Sequence, residues 1–222
     1  MTTNKINKIS DKYLIMLSDL LKKSYDPTLL ISTSFSAKNK DLKEEIGKKK
    51  YLEAAVLCIL LPSKNNFTPK VILTVRSKKL RKHSGQISFP GGKVERTDKN
   101  FIECALRETF EEIGIEGKKV QTLGMMNKYA TGSGFLVTPV VAIMTSDIKV
   151  KINKDEVEEV IYFPLNYLEK KKNIKKSFFF KDNKSKYFYY DINWKNYRIW
   201  GTTASILCDM NKLLNNMMKK ND

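Results

Sequence analysis

The amino-acid sequence predicts an α/β fold: a mixed β-sheet sandwiched between helices (α/β/α), with an added N-terminal helix. Two β-rich apolar runs, YLEAAVLCILL and KVILTVRS, follow one another across a short polar turn. Apolar residues then recur at helical spacing over 98–113, where Gly114 closes the helix, and again over 201–217. Helices and strands do not alternate regularly, which favours a mixed sheet over a parallel one.

The other elements follow in chain order from the spacing of apolar residues. Residues 11–23 have helical spacing and form the added N-terminal helix. Residues 24–50 contain Pro27, a Ser/Thr stretch and a charged run, so we expect an irregular connection with room for a short helix. Strands are predicted over 119–126 and 135–144. A short helical turn is predicted from Pro164, and a hairpin is predicted around 182–184.

Composition excludes several classes of protein. No apolar run approaches the ~20 residues needed to span a bilayer, and the polar segment 1–11 lacks the apolar part of a secretory signal. The 3 cysteines are widely spaced and the only histidine is His83, which argues against a disulfide framework and a zinc site. A chain of 222 residues suits one well-buried domain with peripheral additions. We therefore expect a cytoplasmic protein.

The formal net charge of +17 has two interpretations. It comes from 36 lysines and 5 arginines, and dispersed lysines are typical of a solvated surface coat. The alternative is attraction of polyanions, either nucleic acid or a phosphorylated small molecule. No array of arginines and aromatics suited to base recognition is found, so no specific nucleic acid is expected. Arg76, Arg81 and Arg107 fall near the motifs below, and a forked guanidinium suits phosphate oxygens.

The helix predicted over 98–113 carries clustered like charges. Glu108, Glu111 and Glu112 are three and four residues apart, so their carboxylates crowd on the side opposite the apolar residues. Like charges so spaced repel one another. A hard divalent cation such as Mg²⁺ or Mn²⁺ neutralises them, because it prefers oxygen ligands and keeps positions open for water and phosphate.

The alternative for this helix is a solvated face, with Glu103 and Arg107 as an ordinary ion pair. The upstream segment SFPGG favours the interpretation of the glutamates as a site for a divalent cation. Gly91 and Gly92 permit the tight backbone and close approach that a phosphate-bearing ligand requires. A glycine-rich entry, paired glutamates and a closing glycine form a specific combination.

These residues resemble the signature of the Nudix hydrolases, Gly-x5-Glu-x7-Arg-Glu-apolar-x-Glu-Glu-x-Gly-apolar. From Arg107 onward the sequence fits, apart from Thr109, which is only weakly apolar. Upstream it departs, because Asp98 replaces the first glutamate and eight residues rather than seven separate it from Arg107. This form is associated with the coenzyme A diphosphatase branch of the family.

A second signature narrows the resemblance to that branch. Its pattern is LLTxRSx3Rx3Gx3FPGG, and in that branch it leads into the Nudix signature, which is also called the Nudix box. The segment from Ile72 to Gly92 keeps every spacing, with one Leu-to-Ile change. The runs VTPVVA, DEVEEVIYFPL and IWGTTASIL are also similar. The resemblance therefore implies a Nudix hydrolase domain over 51–208, preceded by an N-terminal helical extension and connection (1–50) and followed by the end of the C-terminal helix and tail (209–222).

The resemblance implies a hydrolase that uses Mg²⁺ or Mn²⁺ to cleave the diphosphate linkage of coenzyme A or its derivatives, giving 4′-phosphopantetheine and 3′,5′-ADP. The alternatives are another nucleoside diphosphate derivative, such as ADP-ribose, NADH or a nucleotide sugar, and a non-catalytic nucleotide- or RNA-binding module. The expected partner is a small-molecule substrate, and a homodimer is left open. The implied catalytic residues are Arg107, Glu108, Glu111 and Glu112, of which the three glutamates are metal ligands. The implied substrate-binding residues are Arg76, Arg81, His83, Gly91 and Gly92.

Several further residues have two interpretations each. Asp98 is either a site residue that replaces the first glutamate of the box or a cap of the helix. Glutamates outside the helix either supply a general base or form an exposed acidic loop: Glu156, Glu158 and Glu159. Aromatic residues near the C-terminus are either packing residues or a platform for an adenine ring: Trp194, Trp200 and the tyrosines of 187–190.

Overall fold

The computed structural model of the protein describes residues 11–32, 35–36, 50–61, 69–80, 83–147, 149–180 and 186–218. Within these ranges the α-helices are α1 (Asp11–Ser24), α2 (Phe101–Ile113) and α3 (Gly201–Met218). The first strands are β1 (Leu30–Ser32), β2 (Phe35–Ser36), β3 (Leu52–Leu61), β4 (Lys70–Arg76), β5 (Ile87–Ser88), β6 (Gly91–Lys93) and β7 (Val120–Met125). The later strands are β8 (Lys128–Ala130), β9 (Phe135–Met144), β10 (Val157–Pro164), β11 (Lys175–Phe180), β12 (Lys186–Trp194) and β13 (Tyr197–Trp200).

The large sheet is mixed, as predicted. Its strands follow the order β1-β8-β9-β3-β4-β10, and β5, β6 and β7 pair with β4, β3 and β9 respectively. The central strands β3 and β9 run parallel over nine paired positions, from Leu52↔Phe135 to Leu60↔Ile143. β4 pairs antiparallel with β3 and β10. The combination of parallel and antiparallel pairs confirms the predicted fold class.

Helices cover both faces of this sheet, because its central strands are apolar on both sides. On β3, Cys58 and Leu60 point into a core shared with α1 and α3. Leu57 and Ile59 point the other way, into a core shared with α2. The near-continuous apolar run of β3 is therefore explained by burial of both faces. Among the α-helices of the described residues, α2 covers one face of the sheet, and α1 and α3 cover the other.

A second, smaller sheet was not predicted as a unit. It pairs β12 with β11, β13 and β2, all antiparallel. The two strands of the predicted hairpin, β11 and β12, pair antiparallel as expected. Residues 182–184, which connect them, lie outside the described ranges. Ile192 and Ile199 point inward and are fully buried in the core shared with α3. The opposite face of this small sheet carries Tyr189, Asp191 and the residues paired with them.

Two predicted elements need correction. The connection predicted over 24–50 contains strands β1 and β2, and β1 pairs in parallel with β8, with Leu30 opposite Lys128. The short helix for which the prediction left room is not tested, because residues 37–49 lie outside the described ranges. Helix α2 begins at Phe101 rather than at residue 98, because Asn100 is its cap and accepts a hydrogen bond from the Glu103 backbone N–H at 2.9 Å. Asp98 is therefore not the cap, which removes one of its two interpretations.

Helix α1 is part of the main core. Leu17 and Leu21 are each only 1% exposed, and the Ser18 hydroxyl donates to the Leu123 carbonyl of β7 at 2.8 Å. Helix α3 also contributes to this core with Leu207 and Leu214. The division of the chain at residues 50 and 208 stays a prediction. In the part of the chain that the structure describes, no helix combines the length and apolar character that a membrane crossing requires.

The packing of α1 gives a stability prediction. Leu21→Ala should lower the free energy of unfolding by about 2–5 kcal/mol, since a buried leucine is replaced by a cavity. Ile15→Ala on the same helix, where the side chain is 62% exposed, should change it by no more than about 0.5 kcal/mol. Urea denaturation of both variants measures the two values. Equal effects would contradict the docking of α1 through its leucine face.

Candidate active site

Helix α2 presents its carboxylates away from a buried apolar side. Cys104, Ala105 and Ile113 pack on β3 and β6. Thr109 occupies the weakly apolar position of the box and is fully buried, with its hydroxyl donating to the Ala105 carbonyl at 2.6 Å. A threonine is tolerated there because its one polar atom is satisfied within the helix.

Arg107 joins three carboxylates. Its Nε and Nη2 donate to Oδ1 and Oδ2 of Asp98 at 2.9 and 3.0 Å, a bidentate pair. Its Nη1 donates to Glu108 Oε1 at 2.9 Å and to Glu111 Oε2 at 3.1 Å. Nη2 also donates to the Lys93 carbonyl of β6 at 3.3 Å. The guanidinium therefore offsets the repulsion between neighbouring glutamates and ties α2 to the loop before it.

The alternative of an ordinary Glu103–Arg107 pair is wrong. The Glu103 carboxylate accepts instead from the Lys99 backbone N–H at 3.0 Å. Asp98 takes the place expected of Glu103 and also accepts from the Glu95 N–H at 2.8 Å. Hydrogen bonding from Arg107 lowers the pKa of Asp98 to about 2. The shift holds Asp98 in its charged form.

Glu112 has the most unusual environment of the three helix glutamates. It is 3% exposed, and within the described part of the chain its buried Oε2 has no hydrogen-bond partner. Burial raises its pKa to about 8, against the opposing effects of the Arg76 charge and of a hydrogen bond from the Gly91 backbone. A buried carboxylate oxygen without a partner is costly unless a ligand satisfies it.

Arg76 is near enough to this buried carboxylate for the two charges to interact. Its charge lowers the pKa of Glu112, and its Nε is likewise buried without a partner among the described residues. Both groups are thus desolvated and carry unused hydrogen-bonding capacity. The pair is arranged to accept a ligand with both an anionic group and a cation, the combination that a metal–phosphate complex offers.

The two glycines of SFPGG allow strand β6 to lie against both β3 and α2. A Cβ on Gly91, whose φ is +147°, would lie 2.3 Å from the Ala55 carbonyl oxygen. A Cβ on Gly92 would lie 2.4 Å from the Glu108 carboxyl carbon. Burial is the main cause that raises the pKa of Glu108, and the hydrogen bond from Arg107 opposes it. The glycines therefore hold backbone, rather than side chain, beside the Glu108 carboxylate.

The loop between β4 and β5 holds one more predicted residue. His83 has a positive φ of 58°, and its Nδ1 lies 2.9 Å from Gln86 Oε1. The loop returns to Arg76, whose backbone N–H donates to the Gln86 carbonyl at 2.9 Å. His83 is thus held in the loop next to the Arg76 backbone, but no described contact joins it to the glutamates. Arg81 lies outside the described residues.

Glu156 is the acidic residue that the sequence left undecided. It is half-buried, and its charge raises the pKa values of both Glu108 and Glu112. Its Oε1 accepts from Asn153 Nδ2 at 3.1 Å, and its carbonyl accepts from the Ser77 backbone N–H at 2.8 Å. This backbone contact brings Glu156 next to the residue after Arg76, a juxtaposition that sequence spacing does not reveal.

The other two glutamates of this segment face different partners. The pKa of Lys79 is raised mainly by its hydrogen bond to Asp155 and to a smaller extent by the charge of Glu158. The Glu159 carboxylate accepts a hydrogen bond from the Tyr197 hydroxyl at 2.7 Å. Both glutamate side chains are exposed, but they lie on strand β10, so the interpretation as an exposed acidic loop is right about their exposure and wrong about the loop. Glu156 alone among the three influences the carboxylates of α2.

The carboxylates supply hard oxygen donors, as Mg²⁺ and Mn²⁺ require. Among the described residues, no group of three or more histidine, cysteine, aspartate or glutamate side chains already converges as a metal site. Glu111 is turned toward Arg107 and half-exposed. The unpartnered Oε2 of Glu112 is the feature that fits a cation, with Glu108 one helical turn before it.

The sequence profile of the NUDIX domain matches residues 51–181, more than half of the chain. The chain belongs to the Nudix family. Its carboxylate helix and the glycine-rich entry to it lie within the matched region. The chain is accordingly a Nudix hydrolase, an enzyme that cleaves phosphorus-containing anhydrides.

Relatives of this Nudix hydrolase carry the same family name. A Pectobacterium atrosepticum protein called "Uncharacterized Nudix hydrolase NudL" is 44% identical over 108 residues, which span 49% of this chain and 56% of the relative. A Salmonella dublin protein of the same name is 34% identical over 163 residues, 72% of this chain and 83% of the relative. The crystal structure of a C. elegans Ap4A hydrolase binary complex is similar at 20% identity with a TM-score of 0.41, over 51% of this chain and 80% of that one.

The raised pKa of Glu112 gives this Nudix hydrolase a testable pH dependence. The pKa of Glu112 is raised from its usual value of 4.5 to about 8. Between pH 4.5 and about pH 8, Glu112 therefore keeps its proton in the folded protein and has lost it in the unfolded chain. The free energy of unfolding therefore falls as pH rises through this range. Without divalent cations, Glu112→Gln should gain stability relative to the parent protein by more than about 1.4 kcal/mol between pH 5 and pH 8, the equivalent of one pKa unit.

Chemical denaturation at several pH values, with a chelator present, measures this difference. Asp98→Asn is the matched control, because Asp98 is ionised in both folded and unfolded chains above pH 5 and its effect should stay constant. A Glu112→Gln effect that is equally constant from pH 5 to pH 8 would show that Glu112 ionises normally.

Proposed function

We propose that this Nudix hydrolase cleaves the diphosphate linkage of coenzyme A or a derivative, giving 4′-phosphopantetheine and 3′,5′-ADP. The position of the Ile72–Gly92 signature beside the helix glutamates supports this proposal. One end supplies Arg76, whose charge acts on the buried Glu112. The other end supplies Gly92, which packs against the Glu108 carboxylate. A segment that resembles the coenzyme A branch thus borders the proposed catalytic carboxylates at both of its ends.

In this proposal Glu108 and Glu112 hold Mg²⁺ or Mn²⁺, and Glu111 is a third ligand, directly or through water. Two observations support this assignment: Oε2 of Glu112 has no hydrogen-bond partner in the part of the chain that the structure describes, and a hydrogen bond from Arg107 fixes the Glu108 carboxylate. When bound, the cation neutralises phosphate charge and lowers the pKa of an attacking water. Arg107 keeps the carboxylates in position and does not need to contact the substrate.

The remaining roles follow from the side chains around Glu112. Arg76 binds a phosphate oxygen with its unused Nε–H, since an anion satisfies both its charge and its donor. Glu156 accepts the proton of the attacking water, because it approaches the helix glutamates from a separate segment and is not held by Arg107. His83 and Arg81 bind the substrate from the β4–β5 loop, as the resemblance implies.

The chemical step is hydrolysis at one phosphorus of the P–O–P linkage. The oxygen of water bonds to that phosphorus, its proton passes to Glu156, and the bridging P–O bond breaks. The bridging oxygen leaves with the other phosphate. Arg76 offsets the charge that develops on the phosphate oxygens. Gly91 and Gly92 keep the backbone of β6 directly against β3 and the Glu108 carboxylate, because any side chain there would clash with one or the other.

We also propose a cytoplasmic location for the enzyme. Its 3 cysteines are free and buried, and the pKa of Cys58 is raised by burial, so the thiols are unreactive and unpaired. The dispersed lysines are a solvated coat that helps recruit anionic small molecules. No specific nucleic-acid partner is proposed.

The substrate proposal predicts a clear preference. Purified protein with Mg²⁺ or Mn²⁺ should cleave coenzyme A with a kcat/KM at least about tenfold above that for ADP-ribose or NADH, a difference of about 1.4 kcal/mol in transition-state binding. A substrate panel with products identified by mass spectrometry measures it. A tenfold preference for ADP-ribose or NADH would assign the enzyme to that substrate class instead.

A further inference from the structure

The outer face of the small sheet carries an aromatic–arginine cluster that the proposed catalytic residues do not use. Trp200 on β13 is 39% exposed and pairs across the sheet with Asp191 on β12. The Tyr189 ring meets Trp200 edge to face, with centroids 5.6 Å apart. The Arg198 guanidinium lies 5.7 Å from the Trp200 ring centroid. We call Tyr189, Asp191, Arg198 and Trp200 the outer-face cluster.

The arginine of this cluster is held rigidly. Nε donates to Asp191 Oδ1 and Oδ2 at 3.2 and 3.0 Å, and Nη2 donates to Asp191 Oδ2 at 2.6 Å and to the Tyr189 hydroxyl at 3.1 Å. Asp191 is buried, so the ion pair is partly shielded from water. These contacts leave Nη1 of Arg198 without a partner among the described residues, and a guanidinium fixed in this way can donate to a further anion.

The outer-face cluster is connected to the proposed active site by a short chain of contacts. One turn beyond Trp200, the Thr203 hydroxyl donates to the Ile87 carbonyl of β5 at 3.0 Å. β13 packs beside β5. Ile87 in turn pairs with Val75, the residue before Arg76. Strand β13 and the first turn of α3 therefore adjoin the strands that carry the phosphate-binding residue.

The chemistry of this cluster suits one end of the proposed substrate. An exposed indole is a stacking platform for a nucleobase, and an adjacent guanidinium suits a phosphate monoester. Coenzyme A has both groups at one end, an adenine and a ribose 3′-phosphate. We infer that the outer-face cluster binds the 3′-phosphoadenosine end of the substrate, with adenine on Trp200 and the 3′-phosphate at Arg198. This inference rests on the proposed function.

The product 3′,5′-ADP is the probe that tests this site apart from catalysis. Its Kd with the full chain, measured by isothermal titration calorimetry in the presence of a chelator, should rise about tenfold or more in Trp200→Ala, because base stacking is lost. Trp200→Phe should restore binding to within about threefold, since it keeps an aromatic face. Phe178→Ala is the matched control, because that ring is 50% exposed on the opposite face of the same sheet. It should leave the Kd unchanged.

The arginine is tested by comparing 3′,5′-ADP with 5′-AMP. The parent protein should bind 3′,5′-ADP more tightly, and Arg198→Lys should reduce that preference by about fivefold or more, because the forked donor geometry is lost. Circular dichroism confirms that each variant is folded. An unchanged 3′,5′-ADP affinity in a folded Trp200→Ala variant, or an equal loss in Phe178→Ala, overturns the inference.

The outcomes separate this inference from the substrate proposal. If coenzyme A is the preferred substrate but its KM and the 3′,5′-ADP affinity do not depend on Trp200, the inference alone fails. If 3′,5′-ADP binds in a Trp200-dependent way but coenzyme A is not hydrolysed, the nucleotide site stands and the proposed reaction fails.

Discussion

The bidentate pair between Arg107 and Asp98 is the interaction on which the proposed active site depends. Three glutamates within one and a half turns of a helix repel one another and mildly destabilise it, and a fixed cation among them offsets that repulsion. Arg107 meets this need with donors to Asp98, Glu108 and Glu111. The low pKa of Asp98, about 2, keeps this partner charged at neutral pH. Because Asp98 lies before the helix, the same pair fixes the approach of the glycine-bearing strand.

Neutralisation by Arg107 does not extend to Glu112, and this difference divides the helix into two functional parts. Glu108 and Glu111 each form an ion pair with Arg107, whereas Glu112 is buried and one of its carboxylate oxygens has no partner among the described residues. Burial of an unpaired carboxylate is costly, and its raised pKa expresses that cost. A binding site commonly carries such local instability, because the ligand removes it. Arg76 and Glu156 approach the same carboxylate from two other segments, which is what a site for a metal-bound anion requires.

Much of this arrangement could be predicted from the sequence, because its signals are local. The helical period placed Glu108, Glu111 and Glu112 together, and the apolar run of β3 predicted a central strand. Nonlocal contacts could not be predicted. The parallel pairing of β1 with β8 joins residues about a hundred positions apart. The role of Asp98 as the partner of Arg107 was open to two interpretations until the cap at Asn100 was seen. Glu156 resembles any exposed acidic residue until its backbone contact with Ser77 brings it beside the site.

The most direct test of whether Glu112 is a metal ligand is the Mn²⁺ affinity of the Glu112→Gln variant, measured by electron paramagnetic resonance. We expect a folded variant whose Mn²⁺ affinity falls at least about tenfold and which has lost turnover, because an amide cannot replace a charged oxygen ligand. Glu103→Gln, on the same helix but outside the Arg107 network, should bind Mn²⁺ and turn over as the parent does. Near-normal activity of Glu112→Gln at saturating metal would contradict the assigned cation site.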